Sequence, residues 1–95
     1  MDALSLARYA KKRDLTEPAI VAALKAAKCR VWQLDRPFDL LVGRAGKFYV
    51  LECKSGTRKA TESQQDELSA CQAGGLPVYL VRSVDDALRA VGLIT

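Results

Sequence analysis

Residues 36–56 read RPFDLLVGRAGKFYVLECKSG, and this stretch predicts the centre of the fold. Two mainly apolar runs, FDLLVG at 38–43 and KFYVLECK at 47–54, flank the short turn RAG at 44–46. Apolar runs of this length on either side of a glycine-containing turn are typical of a β-hairpin. The second run ends in a carboxylate, a cysteine and a lysine, so the pattern predicts an apolar strand with two charged residues at its end.

The other elements are predicted from apolar periodicity and from residues that begin or end helices. They are a helix from Thr16 with Pro18 in its first turn, a strand at 30–34, a helix from Thr61 to Gly74–Gly75, a strand at 77–81 and a helix from Ser83 to Gly92. Thr16 is expected to cap the first helix, and Thr61 and Ser83 each open a capping-box pattern. The order is α-β-β-β-α-β-α. Since the central strands are apolar on both faces, we expect a three-layer α/β fold with a four-stranded mixed sheet covered by helices.

Length and composition restrict the classes of protein to consider. The 95 residues suit one compact domain, which we place at residues 15–95 after a basic leader at 1–14. The chain has no histidine, which excludes Ser-His-Asp triads and histidine-zinc catalysis. Its three cysteines form no C-x-x-C pair, so neither a disulfide framework nor a zinc site is expected, and a reducing cytoplasm is the expected location. No apolar run approaches the roughly 18 residues of a membrane span, so no membrane partner is expected.

Basic residues outnumber acidic ones and give a formal net charge of +4. They cluster in RYAKKR at 8–13 and in KSGTRK at 54–59. A basic surface suits a polyanionic partner, of which nucleic acid is the commonest. Many small soluble domains are mildly basic, so charge alone does not decide between these interpretations.

The end of the second hairpin strand carries the residues with chemical potential. Alternation along the strand places Glu52 and Lys54 on one face and Cys53 on the other, where it is expected in the core. The hairpin register brings Asp39 beside Glu52. Two buried carboxylates repel each other, and Mg²⁺ prefers oxygen ligands, so Asp39, Glu52 and the main-chain carbonyl of Cys53 form a candidate metal site. Lys54 could then orient a water or neutralise a phosphate; the alternative is an exposed pair of charges at a strand end.

These residues carry a resemblance to a known family. The stretch at 36–56 resembles the motif of the PD-(D/E)XK nuclease superfamily, an aspartate on one strand followed by E-x-K on the next. The segment TESQQDELSACQAGGLPVYLVRSVDDAL is similar to the continuation seen in small phage-type nucleases of the VRR-NUC group. The resemblance covers about residues 16–92. The family usually has proline directly before the aspartate, whereas Phe38 separates Pro37 from Asp39 here, and Asp35 is the fallback.

The resemblance implies a restriction-endonuclease-like fold and a Mg²⁺- or Mn²⁺-dependent DNA endonuclease that leaves a 5′-phosphate and a 3′-hydroxyl. The catalytic residues would be Asp39, Glu52, Lys54 and Gln64. Small stand-alone members are expected to act as homodimers on branched DNA in the cytoplasm of a phage-infected or bacterial cell. The alternative function is a non-catalytic nucleic-acid-binding module that retains the nuclease fold.

Two further residues are carried over from the family with alternatives open. Glu17 shares the apolar face of the first helix, where family members often place a glutamate that extends the metal site; an acid in a first turn also favours the helix dipole. The family uses a glutamine at the position of Gln64 near the metal or the attacking water. Thr61-x-x-Gln64 is also a capping box, and Gln65 is the neighbouring alternative.

The remaining expectations concern surfaces. The residues predicted to contact DNA are Arg58, Lys59, Lys11, Lys12 and Arg13, although the leader could instead contact a second subunit. The candidate dimer contacts are Leu4, Leu6, Ala7 and Trp32. Trp32 is interpreted as a core or dimer residue rather than as a platform for base stacking.

Overall fold

The computed structural model describes residues 12–95. The helices are α1 (Glu17–Ala26), α2 (Glu62–Ala73) and α3 (Val84–Ala90), and the strands are β1 (Arg30–Gln33), β2 (Leu40–Arg44), β3 (Lys47–Cys53) and β4 (Val78–Val81). The strands form one sheet in the order β1-β2-β3-β4. Neighbours are antiparallel from β1 to β3, and β4 runs parallel to β3. The predicted α/β class with a four-stranded mixed sheet is therefore confirmed. No helix within residues 12–95 is long and apolar enough to cross a lipid bilayer.

The turn between β2 and β3 sets the register of the hairpin. Arg44 pairs with Lys47, which leaves Ala45 and Gly46 as the two turn residues, and both have positive φ, 51° and 78°. Two consecutive left-handed residues are the requirement of a type I′ turn, which matches the twist of a hairpin. With this turn fixed, Leu40 lies opposite Leu51.

The core lies on the face of the sheet that packs against α1 and α3. Its members from the helices and the sheet are Ile20, Leu24, Leu40, Val42, Leu51, Cys53, Val81, Ala87 and Val91, together with Cys29 in the loop before β1. The expectation that Cys53 is a core residue is confirmed. Trp32 is 42% exposed and does not belong to the core, so that part of its interpretation is wrong.

The start of α1 differs from the prediction. Thr16 occupies the N-cap position but makes no side-chain cap hydrogen bond. Its hydroxyl donates instead to Asp14 Oδ1 at 2.8 Å, and its main-chain N–H donates to the same oxygen at 2.9 Å. The prediction that Thr16 caps the helix is therefore wrong, because the residue forms a local turn with Asp14.

Helix α2 packs less closely than α1 and α3. It contributes no buried residue, and its amide side chain at Gln72 donates to the carbonyl of Val78 in β4 at 3.0 Å. Thr61 and Gln64 form the predicted capping box at its first turn. This helix therefore depends on end interactions more than on burial of an apolar stripe.

Candidate metal centre and active site

A pocket of about 220 Å³ lies at the end of the sheet where the inner strand β3 ends and the inner strand β2 begins. Its lining residues are Lys12, Arg13, Asp14, Asp39, Glu52, Cys53, Lys54, Arg58 and Gln64. Most of them are charged, and they come from the segment before α1, from the residue before β2, from the end of β3 and the loop after it, and from the first turn of α2. The pocket is therefore built by segments far apart in sequence.

Asp39 lies directly before β2 and is buried. Its main-chain N–H donates to the carbonyl of Leu51 at 3.1 Å, which continues the hairpin ladder by one residue. Its side-chain Oδ2 accepts a hydrogen bond of 2.7 Å from the main-chain N–H of Cys53, so the end of β3 orients the carboxylate. The fallback residue Asp35 has a side chain that is 74% exposed and lies outside the pocket lining.

Glu52 and Lys54 are buried at the end of β3, and both line the pocket. Alternation along the strand places them on the face opposite Leu51 and Cys53. Lys54 is also bonded through its main chain, since its N–H donates to the carbonyl of Val81 at 3.1 Å. The structure therefore brings Asp39, Glu52 and Lys54 together, as the hairpin register predicts.

Glu17, the first residue of α1, is fully buried. Its Oε2 accepts a hydrogen bond of 2.8 Å from Gln33 Nε2 and lies 3.3 Å from an Arg13 guanidinium nitrogen. Its Oε1 is buried and has no hydrogen-bond partner within the described residues. One carboxylate oxygen of Glu17, one of Asp39 and the Cys53 sulfur all lie within 4.8 Å of one another.

The chemistry of these donors favours an oxygen-ligated cation. Burial raises the pKa of the Cys53 thiol, and the carboxylates of Asp39, Glu17, Glu52 and Asp14 raise it further. The sulfur therefore stays protonated at neutral pH, whereas metals bind thiolates. Glu17 and Asp39 remain from this group, and Glu52, which lies outside the group but lines the pocket with Asp39, is a third candidate. Their carboxylate oxygens are of the kind that Mg²⁺ and Mn²⁺ prefer.

Asp14 is a residue of this region that the sequence reasoning missed. Besides the two hydrogen bonds from Thr16, its carboxylate accepts from the Ser55 N–H at 3.0 Å and the Ser55 hydroxyl at 3.3 Å, and it pairs with Arg58 at 3.3 Å. Burial raises the pKa of Asp14, but the hydrogen bonds from Thr16 and Ser55 outweigh that effect, so the pKa lies below its ordinary value. The local signal was the spacing Asp14-x-Thr16, which is typical of a side-chain turn.

Arg82, after β4, also contacts the loop that follows Lys54. Its guanidinium donates to the carbonyl of Gly56 at 3.1 Å and to that of Arg58 at 2.6 Å. The loop is thus bonded from two sides, by Asp14 and by Arg82. No pattern in the sequence pointed to Arg82.

The two candidate glutamines lie in different places. Gln64 lines the pocket, and its Oε1 accepts from the Thr61 N–H at 2.9 Å within the capping box. An amide side chain has a separate donor end, so Nε2 is the part of Gln64 that can contact a ligand. Gln65 is exposed, donates to the Ala60 carbonyl at 2.7 Å and does not line the pocket.

The basic residues predicted to contact DNA also divide by position. Lys12, Arg13 and Arg58 line the pocket, whereas Lys59 is exposed and lies outside its lining. Arg13 bonds internally, to Glu17 and to the carbonyl of Leu34 at 3.0 Å. Lys11 and the candidate dimer residues Leu4, Leu6 and Ala7 lie outside the described residues.

Comparison with known proteins gives no further assignment. No model of a protein family, no curated protein and no solved structure matches the chain.

Proposed function

We propose that the chain is a Mg²⁺- or Mn²⁺-dependent DNA endonuclease with a restriction-endonuclease-like core of the PD-(D/E)XK type. The proposal rests mainly on one observation. Asp39 precedes β2, Glu52 and Lys54 end β3, and all three are buried in the lining of one pocket. An exposed pair of charges at a strand end, which was the alternative, would not place three ionisable side chains together inside the molecule.

The residues present fit a bound divalent cation. Four carboxylates and one lysine are buried in this region: Asp14, Glu17, Asp39, Glu52 and Lys54. Buried charges in proteins are generally paired or coordinate a metal. Glu17 Oε1, buried and without a hydrogen-bond partner in residues 12–95, is the kind of atom that a cation would satisfy. We infer that Asp39 and Glu52 of the pocket lining would hold the metal, with Glu17, which has an oxygen close to Asp39 but does not line the pocket, and the Cys53 carbonyl as further candidates.

Each residue has a separate role in this proposal. When bound, Mg²⁺ or Mn²⁺ supplies Lewis-acid polarisation of a phosphodiester and a water of lowered pKa. The Cys53 N–H orients the Asp39 carboxylate. Lys54, at the end of the same strand, stabilises the negative charge that develops on the phosphate in the transition state. Gln64 contributes its amide N–H₂ to the attacking water or to a phosphate oxygen.

The rim of the pocket supports a polyanionic substrate. Lys12, Arg13 and Arg58 surround the acidic interior, and Lys59 extends the basic surface beyond it. Cations at a rim attract a nucleic acid backbone, while the interior carboxylates suit a metal. The basic side chains at the rim suit phosphates, which carry no sequence information, so we propose recognition of branched DNA structure rather than of sequence. A homodimer would present two such sites to opposed strands.

The alternative is a nucleic-acid-binding module without activity. It would use the same basic rim, and it has no need for the buried carboxylates. Since each buried ion carries a desolvation cost of several kcal/mol, a pure binding module would gain stability by replacing them with apolar residues. The retained set of Asp39, Glu52 and Lys54 favours catalysis.

A cleavage assay tests the proposal. Wild-type protein should cut a four-way junction or a flap in Mn²⁺ in preference to plain duplex, and EDTA should stop the reaction. Lys54→Ala should lower turnover by about 100-fold or more with DNA affinity little changed, because its contact forms in the transition state. Lys25→Ala, an exposed lysine in the last turn of α1, is the matched control. DNA binding without metal-dependent cleavage of any of these substrates would favour the module instead.

A further inference from the structure

The face of the sheet that carries Glu52 also carries an exposed aromatic pair. Phe48, Val50 and Glu52 alternate along β3 and therefore lie on one face, opposite the core residues Leu51 and Cys53. At a rise of about 3.3 Å per residue, Phe48 lies about 13 Å from Glu52 along the strand. The pocket and the aromatic pair thus occupy two ends of the same surface.

The second aromatic residue is Trp32 of β1. Trp32 pairs with Leu41, and Leu41 pairs with Val50, so Trp32 lies on the same face as Phe48. The two ring centroids are 6.2 Å apart with an angle of 49° between the planes. Phe48 is 60% exposed and Trp32 is 42% exposed, which is a large apolar area to leave in water.

Gly43 of β2 lies between the two rings. A Cβ atom at this position would lie 3.4 Å from a Phe48 ring atom and 3.6 Å from a Trp32 ring atom. The absence of a side chain therefore lets both rings lie close over the Gly43 backbone. A flat group can stack on the exposed faces of the two rings.

The charged residues around this aromatic pair are basic. The Arg30 guanidinium lies 5.8 Å from the centre of the Trp32 ring. Lys28 and Lys47 are exposed at the same end of the sheet. The segments 18–34 and 40–51, which form this end, contain no aspartate or glutamate. The surface around the two rings therefore combines flat apolar groups with the positive charges of Arg30, Lys28 and Lys47.

We propose that Trp32 and Phe48 stack on an unpaired base of a DNA strand whose backbone continues to the pocket, with Arg30 contacting a phosphate. Aromatic stacking combined with positive charge is the usual means by which proteins bind single-stranded nucleic acid. A two-fold contact between copies through this surface would bring Arg30 and Lys47 close to the same residues of the partner, which is electrostatically unfavourable. A polyanion neutralises these charges, so charge complementarity favours nucleic acid. This inference rests on the proposed function and adds an unpaired strand to its substrate.

The test uses the intrinsic fluorescence of Trp32, which is the only tryptophan in the chain. The full chain in EDTA, where cleavage cannot occur, is titrated with single-stranded oligothymidine and with an abasic strand of the same length. Oligothymidine should quench Trp32, and the abasic strand should not. Phe48→Ala should weaken oligothymidine binding by about tenfold and leave abasic binding unchanged. Tyr79→Ala, an exposed aromatic residue in register with Leu51 on the opposite face, is the matched control and should change neither affinity.

Three outcomes separate this inference from its alternatives. Equal affinity and equal quenching for the two strands would overturn the stacking surface, even if metal-dependent cleavage were observed. Base-dependent quenching that Phe48→Ala removes would support the surface, even if no substrate were cut and the proposed nuclease activity failed. If light scattering showed a wild-type dimer that Phe48→Ala converts to a monomer without any change in oligothymidine affinity, the surface would be an interface between copies, and the inference would be wrong.

Discussion

Asp14 and Glu17 are two buried carboxylates only three residues apart, and they differ in the donors around them. The carboxylate of Asp14 accepts hydrogen bonds from Thr16 and Ser55 and pairs with Arg58. Glu17 Oε2 accepts from Gln33 and pairs with Arg13, while Oε1 has no hydrogen-bond partner in the described part of the chain. Burial alone therefore does not separate a structural carboxylate from a candidate ligand. The number of hydrogen-bond donors around each carboxylate does separate them.

This difference assigns the two residues to separate tasks. A buried carboxylate with its hydrogen bonds made stabilises the segments that it joins, and Asp14 joins the start of α1 to the loop after Lys54. A buried oxygen without a donor costs free energy unless a ligand satisfies it. We therefore interpret Asp14 as a residue that positions the loop and Glu17 as part of the proposed metal site.

The largest effect is expected on stability at Asp14. Asp14→Ala should lower the free energy of unfolding by about 3 kcal/mol, because the part-buried N–H of Ser55 and the donors of Thr16 lose a charged acceptor. Glu17→Gln should change it by less than about 1 kcal/mol, since the amide retains an acceptor for Gln33 and Arg13, and the loss of the ion pair with Arg13 is offset by removal of a charge near Asp39. Urea denaturation measures both values. A greater loss for Glu17→Gln than for Asp14→Ala would reverse the assignment.

The next largest effect is expected on the stabilisation of the folded protein by Mn²⁺. At Mn²⁺ about 100 times above the dissociation constant, binding to the folded state should raise the free energy of unfolding by about 2.7 kcal/mol. Glu17→Gln should reduce this increase, and Asp39→Asn should remove most of it. Glu62→Gln is the matched control, because Glu62 is the first residue of α2 as Glu17 is of α1, and it is exposed.

Thermal denaturation with and without Mn²⁺ gives this comparison for each variant. The control substitution removes the same favourable interaction with a helix dipole. If Glu17→Gln and Glu62→Gln respond to Mn²⁺ equally, Glu17 serves only the dipole and the interpretation of its unpaired oxygen fails.

The sequence predicted the hairpin and the position of Asp39 because both depend on local chemistry. The turn RAG accepts two left-handed residues, which fixes Arg44 opposite Lys47 and sets every later pair of the ladder. Once that register is set, alternation alone places Asp39 and Glu52 side by side. Capping chemistry at Thr61 was equally local and was predicted for the same reason.

Contacts between distant segments were not predictable in this way. Asp14 was assigned to the leader, and its partner Ser55 lies 41 residues away. The exposed position of Trp32 depends on which half of the sheet a helix covers. The sequence predicts a sheet covered by helices, yet α2 contributes no buried residue. These features follow from tertiary packing, which one sequence pattern does not contain.

A smaller effect should appear at acidic pH. The pKa of Asp14 is lowered in the folded protein, so its stabilising effect is fully present above the ordinary value of 3.8 and is lost as the pH falls through the folded value. Wild-type protein should therefore lose stability as the pH falls below about 4, and Asp14→Asn should lose less over the same range. Denaturation across this pH range measures the slope. Identical slopes for the two proteins would mean that Asp14 is not preferentially ionised in the folded state.

The smallest effect is expected at Gln64, which combines a structural role, like that of Asp14, with a place in the candidate site, like that of Glu17. Its Oε1 completes the capping box with Thr61, while its side chain lines the same pocket as Glu52 and Lys54. Gln64→Ala should lower the free energy of unfolding by about 1 kcal/mol through loss of the cap. Gln64→Glu retains the capping acceptor but replaces the amide donor, so it should leave stability nearly unchanged and lower turnover in the cleavage assay. Gln65→Ala, outside the pocket, controls for the first turn of α2. Full activity in Gln64→Glu would restrict Gln64 to the cap and leave Asp39, Glu52 and Lys54 as the candidate catalytic set.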